Sequence, residues 1–293
     1  MKNVIGVVTR SFQAGVGDNE KPFYTEEFER RVRLPIQRLL HCECVVLVIV
    51  MVNTEPGNPL AEIISEEGGL SPTERALRDS FPNEISSKRL IVRPCSDWGK
   101  NPGSAVALNQ GDDVARECGM ATVLHWSPEI QLTDYHLHQL MMHAEQHQLM
   151  VTGLLRQRWW ERAQWNVAQN TAALWNLHLL KQVGGFDPRC NGTGETINVP
   201  EYGDVPLAGM EDFHAMLRIM KLSPVDNFRW GMAGRSEPLI WDVNFPAGSS
   251  REKNHLIKVA RQYAVMRQWA EEIYPELPFE VVMDRLFTCY HQD

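Results

Sequence analysis

The sequence predicts an α/β protein, with a mostly parallel central sheet flanked by helices and a helical C-terminal extension. Short β-branched, apolar segments alternate with segments of helical periodicity as far as residue 155, which is the pattern of parallel strands joined by helical crossovers. The run from Val45 to Val52 is apolar without interruption, as expected for a strand buried on both faces. The composition, 43% hydrophobic and 23% charged, is that of an ordinary globular protein.

Each strand and helix is predicted from its own local signals. Thr25 is a candidate N-cap for the first helix, which Pro35 should kink or split. Gly119 should end the second helix, and Gly184 the fourth. The predicted strands are 3–9, 44–52, 89–94, 121–126 and 149–155. The predicted helices are 25–40, 104–118, 133–147, 171–183, 211–221, 251–274 and 278–290.

Charge and hydropathy exclude several classes of partner. The net charge of −8, from 29 basic and 37 acidic residues, argues against nucleic acid, whose phosphates attract basic faces. Residues 55–84 carry seven Asp or Glu against two Arg, and we expect short helices and loops at the surface there. No apolar run approaches the roughly 20 residues of a membrane-spanning helix, and the N-terminus shows no cleavage site. We therefore expect a cytoplasmic protein with no membrane span.

One pair of acids lies where a carboxylate is electrostatically favoured. Glu211 and Asp212 open a predicted helix directly after Gly209 and Met210. The helix dipole stabilises negative charge in the first turn by about 0.3–1 kcal/mol per group. The pair is therefore either an ordinary charged first turn or a general base whose ionised form is held by backbone N–H groups.

The order of several segments adds a resemblance to a known family. The segments are Thr9-Arg10-Ser11 after the first strand, residues 107–116 (ALNQGDDVAR), residues 183–187 (VGGFD) and residues 209–218 (GMEDFHAMLR). Together with Asn170 at the start of its helix, this set resembles the family-two glycosyltransferases of the GT-A fold over roughly residues 3–220. The resemblance implies a GT-A-like nucleotide-sugar-binding and catalytic domain over 1–250, with residues 251–293 as a helical extension packed on it.

The resemblance also implies a nucleotide site at the ends of the strands. Asn53 stands where the family usually carries an Asp that holds uracil or ribose. Ligands of open α/β sheets bind beyond the carboxyl ends of the strands, and the strand assignment places several polar residues there independently. The predicted nucleotide-binding residues are Thr9, Arg10, Asn53, Asn109, Ser127 and Glu129.

The metal motif of the family is degenerate here. Ser127-Pro128-Glu129 occupies the place of the usual Asp-x-Asp, so that only Glu129 remains as a carboxylate ligand. Divalent Mg or Mn prefers hard oxygen ligands, and one carboxylate with phosphates and water predicts a weakened site. His255 is a candidate further ligand; the alternative is a solvent-facing histidine at the start of the long C-terminal helix.

The implied chemistry is transfer of a sugar from a nucleotide-diphosphate donor to an acceptor hydroxyl, with inversion. Asp212 is the expected general base and Glu211 its neighbour or a substrate contact, with UDP as the expected nucleotide and the acceptor unknown. Two other functions stay open. The degenerate metal motif favours a catalytically silent GT-A-like binding domain. A nucleotidyltransferase would need a Gly-rich, basic loop after the first strand, which residues 9–15 only partly provide.

Overall fold

Four strands from the first part of the chain lie side by side and parallel in a computed structural model of the protein. Strand β1 (Ile5–Ser11) lies between β2 (Val45–Asn53) and β4 (Thr122–Trp126), and β3 (Leu90–Cys95) pairs with β2. All three pairings are parallel, so the carboxyl ends of these strands meet at one edge of the sheet. The helices that follow these strands along the chain are α1 (Leu34–His41), α2 (Pro72–Ser80), α3 (Pro82–Ser86), α4 (Ala105–Glu117) and α5 (Asp134–Gln146).

The structure describes most of the chain, and the described residues fall into separate ranges. The described residues are 4–11, 28–58, 61–62, 64, 69–98, 105–128, 130–154, 168, 170, 172–191, 195–199, 202–207, 209–223, 227–234 and 250–292. Within these ranges, the side chains of residues 11, 31, 191, 206, 250–259 and 292 are outside the description.

The middle of the chain contributes an antiparallel pairing that the sequence did not predict. Strand β5 (Val151–Leu154) pairs antiparallel with β6 (Ala172–Asn176), which also pairs antiparallel with β4. The helix predicted over 171–183 is therefore wrong in its first part, and only α6 (Leu177–Gln182) is helical. A short, continuous apolar run such as 172–175 has no period that separates a buried strand from a buried helix.

The last part of the chain extends the sheet and covers one face. The hairpin of β7 (Thr196–Val199) and β8 (Gly203–Pro206) stands apart from the main sheet. Strand β9 (Trp230–Ala233) pairs parallel with β5, and β10 (Tyr290–Gln292) pairs parallel with β9. None of these four strands was predicted, because each is only three or four residues long. The helices here are α7 (Glu211–Leu222), α8 (Ser250–Ile273) and α9 (Phe279–Thr288).

The result is the predicted fold class, an eight-stranded, mostly parallel sheet in the order β10-β9-β5-β6-β4-β1-β2-β3 with helices on both faces. On one face α4, α7, α8 and α9 share a hydrophobic core with the sheet, and on the other α1, α2 and α5 do so. None of the helices in the described ranges is both long and apolar enough to span a membrane.

Two local predictions have mixed outcomes. Pro35 does split its helix, because a π-helical turn at Glu29–Arg33 gives way to α1 with the proline in its first turn.

The acidic segment, residues 55–84, forms short helices as predicted, but two of its acids are not at the surface. Glu62 is 3% exposed and accepts hydrogen bonds from the backbone N–H and the hydroxyl of Thr73. Glu74 is 5% exposed and pairs with Arg78 at 2.8 Å.

Candidate functional site

The carboxyl ends of β1, β2 and β4 bring four of the predicted nucleotide-binding residues to one edge of the sheet. Thr9 lies level with Trp126 of β4 and Val50 of β2 in the strand register. Arg10 follows it on β1, and Asn53 and Ser127 end or follow the neighbouring strands. This edge is where open α/β sheets bind their ligands.

Thr9 joins two strand ends. Its side chain is 1% exposed, and its hydroxyl donates to the Trp126 carbonyl at 2.8 Å. The chain then turns at once, because the Ile130 N–H donates to the Ser127 carbonyl and the Trp126 indole donates to the Ile130 carbonyl at 2.7 Å. The hydroxyl of Thr9 therefore ties the end of β1 to the residue of β4 that directly precedes this turn.

At the end of β2, three consecutive residues carry buried polar atoms that have no hydrogen-bond partner among the described residues. Asn53 is fully buried; its Oδ1 accepts from the Glu55 N–H at 3.0 Å, and its carbonyl accepts from the Glu62 N–H at 2.7 Å. Asn53 Nδ2, Thr54 Oγ1 and Glu55 Oε2 have no hydrogen-bond partner within the described part of the chain. Leaving such a group unpaired costs about 1–3 kcal/mol. We call Asn53, Thr54 and Glu55 the strand-end cluster.

The side-chain amide of Asn109 is hydrogen-bonded to the backbone of another segment. Its Nδ2 donates to the Phe186 carbonyl at 2.8 Å, and its Oδ1 accepts from the Phe186 N–H at 2.7 Å. The preceding Gly185 has φ +77°, and a Cβ there would lie 2.4 Å from Asn109 Oδ1. We call residues 184–187 the GGFD segment. Both the positive φ and the close approach require glycine at position 185. The amide of Asn109 holds α4 against that segment, and its contact with a nucleotide stays a prediction.

The acid pair lies in the first turn of α7, behind a strained backbone. Met210 has φ +61°, a left-handed conformation that a side chain of this size rarely adopts. Such strain tends to persist at functional sites. Asp212 is 7% exposed; its Oδ1 accepts from the Phe213 N–H at 2.8 Å and its Oδ2 from the Asn170 N–H at 3.2 Å. Glu211 beside it is half-buried.

Behind Asp212 lies a buried polar network that the sequence analysis missed. His125 Nε2 is 2.8 Å from Asp112 Oδ1, and His125 Nδ1 is 3.2 Å from Asn170 Oδ1. The Trp175 indole donates to the same Asn170 oxygen at 2.9 Å. All four side chains are at most 3% exposed. A histidine in the middle of the apolar strand 122–126 was the available signal, since such a residue needs partners in the core.

The GGFD segment is also tied to the C-terminal helix. Arg189 pairs with Asp187 and with Glu272 of α8, both at 2.7 Å, and its guanidinium lies 4.7 Å from the ring centre of Trp269. Burial alone would raise the pKa of Asp187, but hydrogen bonds from the Arg189 side chain and backbone hold that pKa below its usual value. His214 of α7 lies on the other side, with Nε2 3.6 Å from Asp187.

The two predicted metal ligands lie outside what the structure describes. Glu129 belongs to the undescribed residues, and His255 belongs to α8 with its side chain undescribed. Among the described residues, no three His, Cys, Asp or Glu side chains are grouped so as to hold a metal ion. The metal site implied by Glu129 and His255 therefore stays a prediction.

Comparison with solved structures identifies relatives of the fold. No protein-family model matches the sequence, and no curated protein is similar to it. TarS of S. aureus superposes with a TM-score of 0.51 at 12% identity, covering 97% of this chain and 42% of TarS. TarS 1–349 in complex with UDP-GlcNAc gives a TM-score of 0.50 at 12% identity, covering 97% of this chain and 70% of that one.

This chain thus spans less than half the length of TarS. At 12% identity the likeness concerns the fold alone. The protein shares a GT-A-like fold with TarS along nearly its whole length.

Proposed function

We propose that this protein is a nucleotide-sugar glycosyltransferase, with Asp212 as the general base of an inverting transfer. The observation that carries the proposal is the placement of Asp212. It lies in the first turn of α7 behind the left-handed Met210, with each carboxylate oxygen held by a backbone N–H. The fold around it is shared with TarS, which was solved with UDP-GlcNAc. Strained, buried and oriented carboxylates are typical of catalytic sites.

In the proposed reaction the Asp212 carboxylate accepts a proton from the acceptor hydroxyl. An acceptor hydroxyl is a weak nucleophile until a base removes its proton during attack on the anomeric carbon. The two N–H groups fix the direction of the Asp212 carboxylate. Glu211, half-buried next to it, is proposed to contact the acceptor. The departing nucleoside diphosphate gains negative charge, and Arg235, Arg251 and Lys253, whose side chains lie outside the described part, are the proposed cations.

The strand-end cluster is proposed to recognise the base of UDP. Within the described residues, Asn53 Nδ2 is a donor without a partner, and Glu55 Oε2, two residues away, is an acceptor without one. A uracil edge offers carbonyl acceptors beside an N3–H donor, which complements this pair. Asn53 is fully buried, so a base must displace neighbouring chain to reach it. Thr9, Arg10, Asn109, Ser127 and Glu129 complete the proposed nucleotide site.

A divalent metal is proposed to bind weakly, if the reaction uses one. Glu129 is the one acid at the position of the family's metal motif, and His255 is the proposed further ligand. Mg or Mn would neutralise diphosphate charge there. With a single carboxylate, we expect nucleotide affinity to change little when a chelator is added.

A thermal-shift series tests the donor. UDP, and UDP-, GDP-, CMP- and TDP-sugars are compared with and without Mn²⁺. We expect UDP compounds to raise the melting temperature, since a ligand at 100 times its Kd adds about 2.7 kcal/mol to the free energy of unfolding. Asn53→Leu should remove the shift, while Arg267→Met, on the exposed side of α8, serves as the control variant. If no nucleotide shifts the wild type at millimolar concentration, the proposal fails.

A catalytically silent GT-A-like domain is the second candidate. The observation that favours it is Ser127-Pro128 in place of acidic residues at the metal motif. Both candidates predict UDP binding, and only the first predicts release of UDP from a UDP-sugar. Binding without turnover of any donor, including by slow hydrolysis, would favour the silent domain.

A further inference from the structure

We propose that His125 and Asp112 form a positioning pair for Asp212, acting through Asn170, and that His125 carries a proton on Nδ1. The pair acts on Asp212 indirectly. It holds the side chain of the residue whose backbone N–H holds Asp212. The positioning role rests on the proposed function, whereas the position of the proton does not.

The orientation of Asn170 is fixed by Trp175. The oxygen and nitrogen of an amide side chain are distinguished only by their partners. An indole N–H can only donate, and that of Trp175 lies 2.9 Å from the atom placed as Asn170 Oδ1. That atom is therefore the oxygen.

The proton on His125 follows from the same oxygen. His125 Nδ1 lies 3.2 Å from Asn170 Oδ1, and an amide oxygen can only accept. Nδ1 must therefore carry hydrogen. On the other side of the ring, Nε2 lies 2.8 Å from Asp112 Oδ1. One further proton lies between these two atoms, either on Nε2 of an imidazolium facing a carboxylate or on a neutral Asp112 carboxyl.

Either arrangement leaves the pair with no net charge, which suits its surroundings. His125 is fully buried and Asp112 is 2% exposed. An unpaired charge at such a site would be costly, whereas a hydrogen-bonded pair is tolerated. The rings of Phe186 and Trp175 pack around His125 at 5.1 and 6.2 Å between centres. Packing on these sides and a hydrogen bond at each nitrogen leave the imidazole one orientation.

The network ends at the proposed base. The Asn170 backbone N–H donates to Asp212 Oδ2 at 3.2 Å, so a shift of the Asn170 backbone, which its anchored side chain resists, would move a donor away from the carboxylate. The hydrogen bonds thus connect α4, β4 and the start of α7 through one residue. A displacement of about 1 Å at a reacting group can cost on the order of 100-fold in rate.

Nuclear magnetic resonance of the full chain tests the proton without any substrate. In protein with ¹⁵N-labelled histidine, we expect the His125 Nδ1 resonance to be that of a protonated nitrogen. Trp175→Phe frees Asn170 to rotate and should change this resonance. Trp230→Phe is the matched control, because its indole is equally buried and donates to the Leu286 carbonyl at 2.9 Å instead. A wild-type His125 with hydrogen on Nε2 alone overturns the proposal.

The positioning role is tested by the Asn170 backbone amide and by kinetics. His125→Leu should shift the Asn170 amide resonance and lower kcat about 10- to 100-fold, with the Kd for UDP within twofold. His125→Asn keeps a donor near Nδ1 and should recover part of the loss. In the double variant with Asp212→Asn, His125→Leu should cost little more, because the two act as a unit.

Two results overturn the positioning role. They are an unmoved Asn170 amide in both His125 variants, and multiplicative rate losses in the double variant. If His125→Leu does not fold, the positioning role is tested by the Asn170 amide resonance and kcat of His125→Asn, compared with those of the wild type. A wild type that transfers no sugar disproves the proposed function alone, since the proton position and the Asn170 amide are read without turnover.

Discussion

Asp212 is held differently from an ordinary charged residue in a first helical turn. Such residues usually extend into water, where the helix dipole stabilises them by about 0.3–1 kcal/mol. Asp212 is instead 7% exposed, with both oxygens on backbone N–H groups. The arrangement fixes the direction of the carboxylate, as the proposed role of general base requires.

Replacing Asp212 with Asn keeps the shape and removes the basicity. General-base help is typically worth 10²- to 10⁴-fold, so we expect kcat for sugar transfer to fall by about that factor. The Kd for UDP should stay near that of the wild type, because the acid pair and the strand-end cluster lie on different elements. Steady-state kinetics and calorimetry of the same samples measure both. If the variant transfers sugar at a near wild-type rate, Asp212 is an ordinary acid in the first turn of α7 and not the general base.

A substitution of Asn109 distinguishes two roles for its side chain, holding the Phe186 backbone or contacting the nucleotide. Asn109→Ala leaves the N–H and carbonyl of the buried Phe186 without partners, and we expect a loss of about 1–3 kcal/mol in the free energy of unfolding. Urea denaturation measures this loss. Gly185→Ala should be at least as harmful, since its Cβ would meet the same amide at 2.4 Å. If Asn109→Ala weakens UDP binding and leaves stability unchanged, its role is nucleotide contact instead.

At the scale of elements, the GGFD segment acts as a junction. Asn109 of α4 holds Phe186, while Arg189, three residues further along the chain, pairs with Glu272 of α8. His214 of α7 lies between them, with its ring 4.8 Å from that of Trp269. The segment thus joins three helices on the face of the sheet that carries Asp212. Its sequence therefore needs both a glycine for close approach and charged residues for pairing.

Removing the guanidinium of Arg189 should loosen this junction. A partly exposed ion pair contributes under about 1 kcal/mol and the contact with Trp269 about 0.5–1 kcal/mol. We therefore expect Arg189→Met to cost about 1–2 kcal/mol and to speed hydrogen exchange in residues 265–273 of α8.

Arg267→Met is the matched control for this change. Arg267 also pairs with an acid, Glu280 at 3.2 Å, and lies 4.8 Å from the ring centre of Phe279, but its ion pair is more exposed. It should cost less and leave exchange near Trp269 unchanged. Equal effects of the two variants would contradict a special role for the GGFD segment in holding α8.

At the scale of the whole molecule, long periodic segments were predictable and short or long-range features were not. The strand 45–53 and the helix 105–117 follow from unbroken local patterns. Strand β6 does not, because its apolar run fits two structures, and β10 gains its stability only by pairing with β9. The acid pair was visible as adjacent residues. The network of Asp112, His125 and Asn170 was not, because its members come together only in the folded sheet.

The pH dependence of the global stability should report on His214. Burial lowers its pKa to about 4, from an ordinary value of 6.5, although the nearby Asp187 carboxylate acts in the opposite direction. Above about pH 6.5 the imidazole is neutral in both the folded and the unfolded chain. As the pH falls toward 4, the unfolded chain takes up a proton that the folded chain does not, so the free energy of unfolding decreases.

His214 should therefore contribute a loss of at most about 3 kcal/mol between pH 7 and pH 4, since each pKa unit is worth 1.36 kcal/mol. We expect His214→Gln to be less stable than the wild type at pH 7, where it loses the ring contact with Trp269. Its stability should then fall less steeply with pH. Urea unfolding of both proteins at pH 7, 5.5 and 4.5 measures the difference, in which the titration of all other groups cancels to first order. Parallel curves would mean that His214 takes up its proton equally readily in the folded chain, and that the core between α7 and α8 admits the charge.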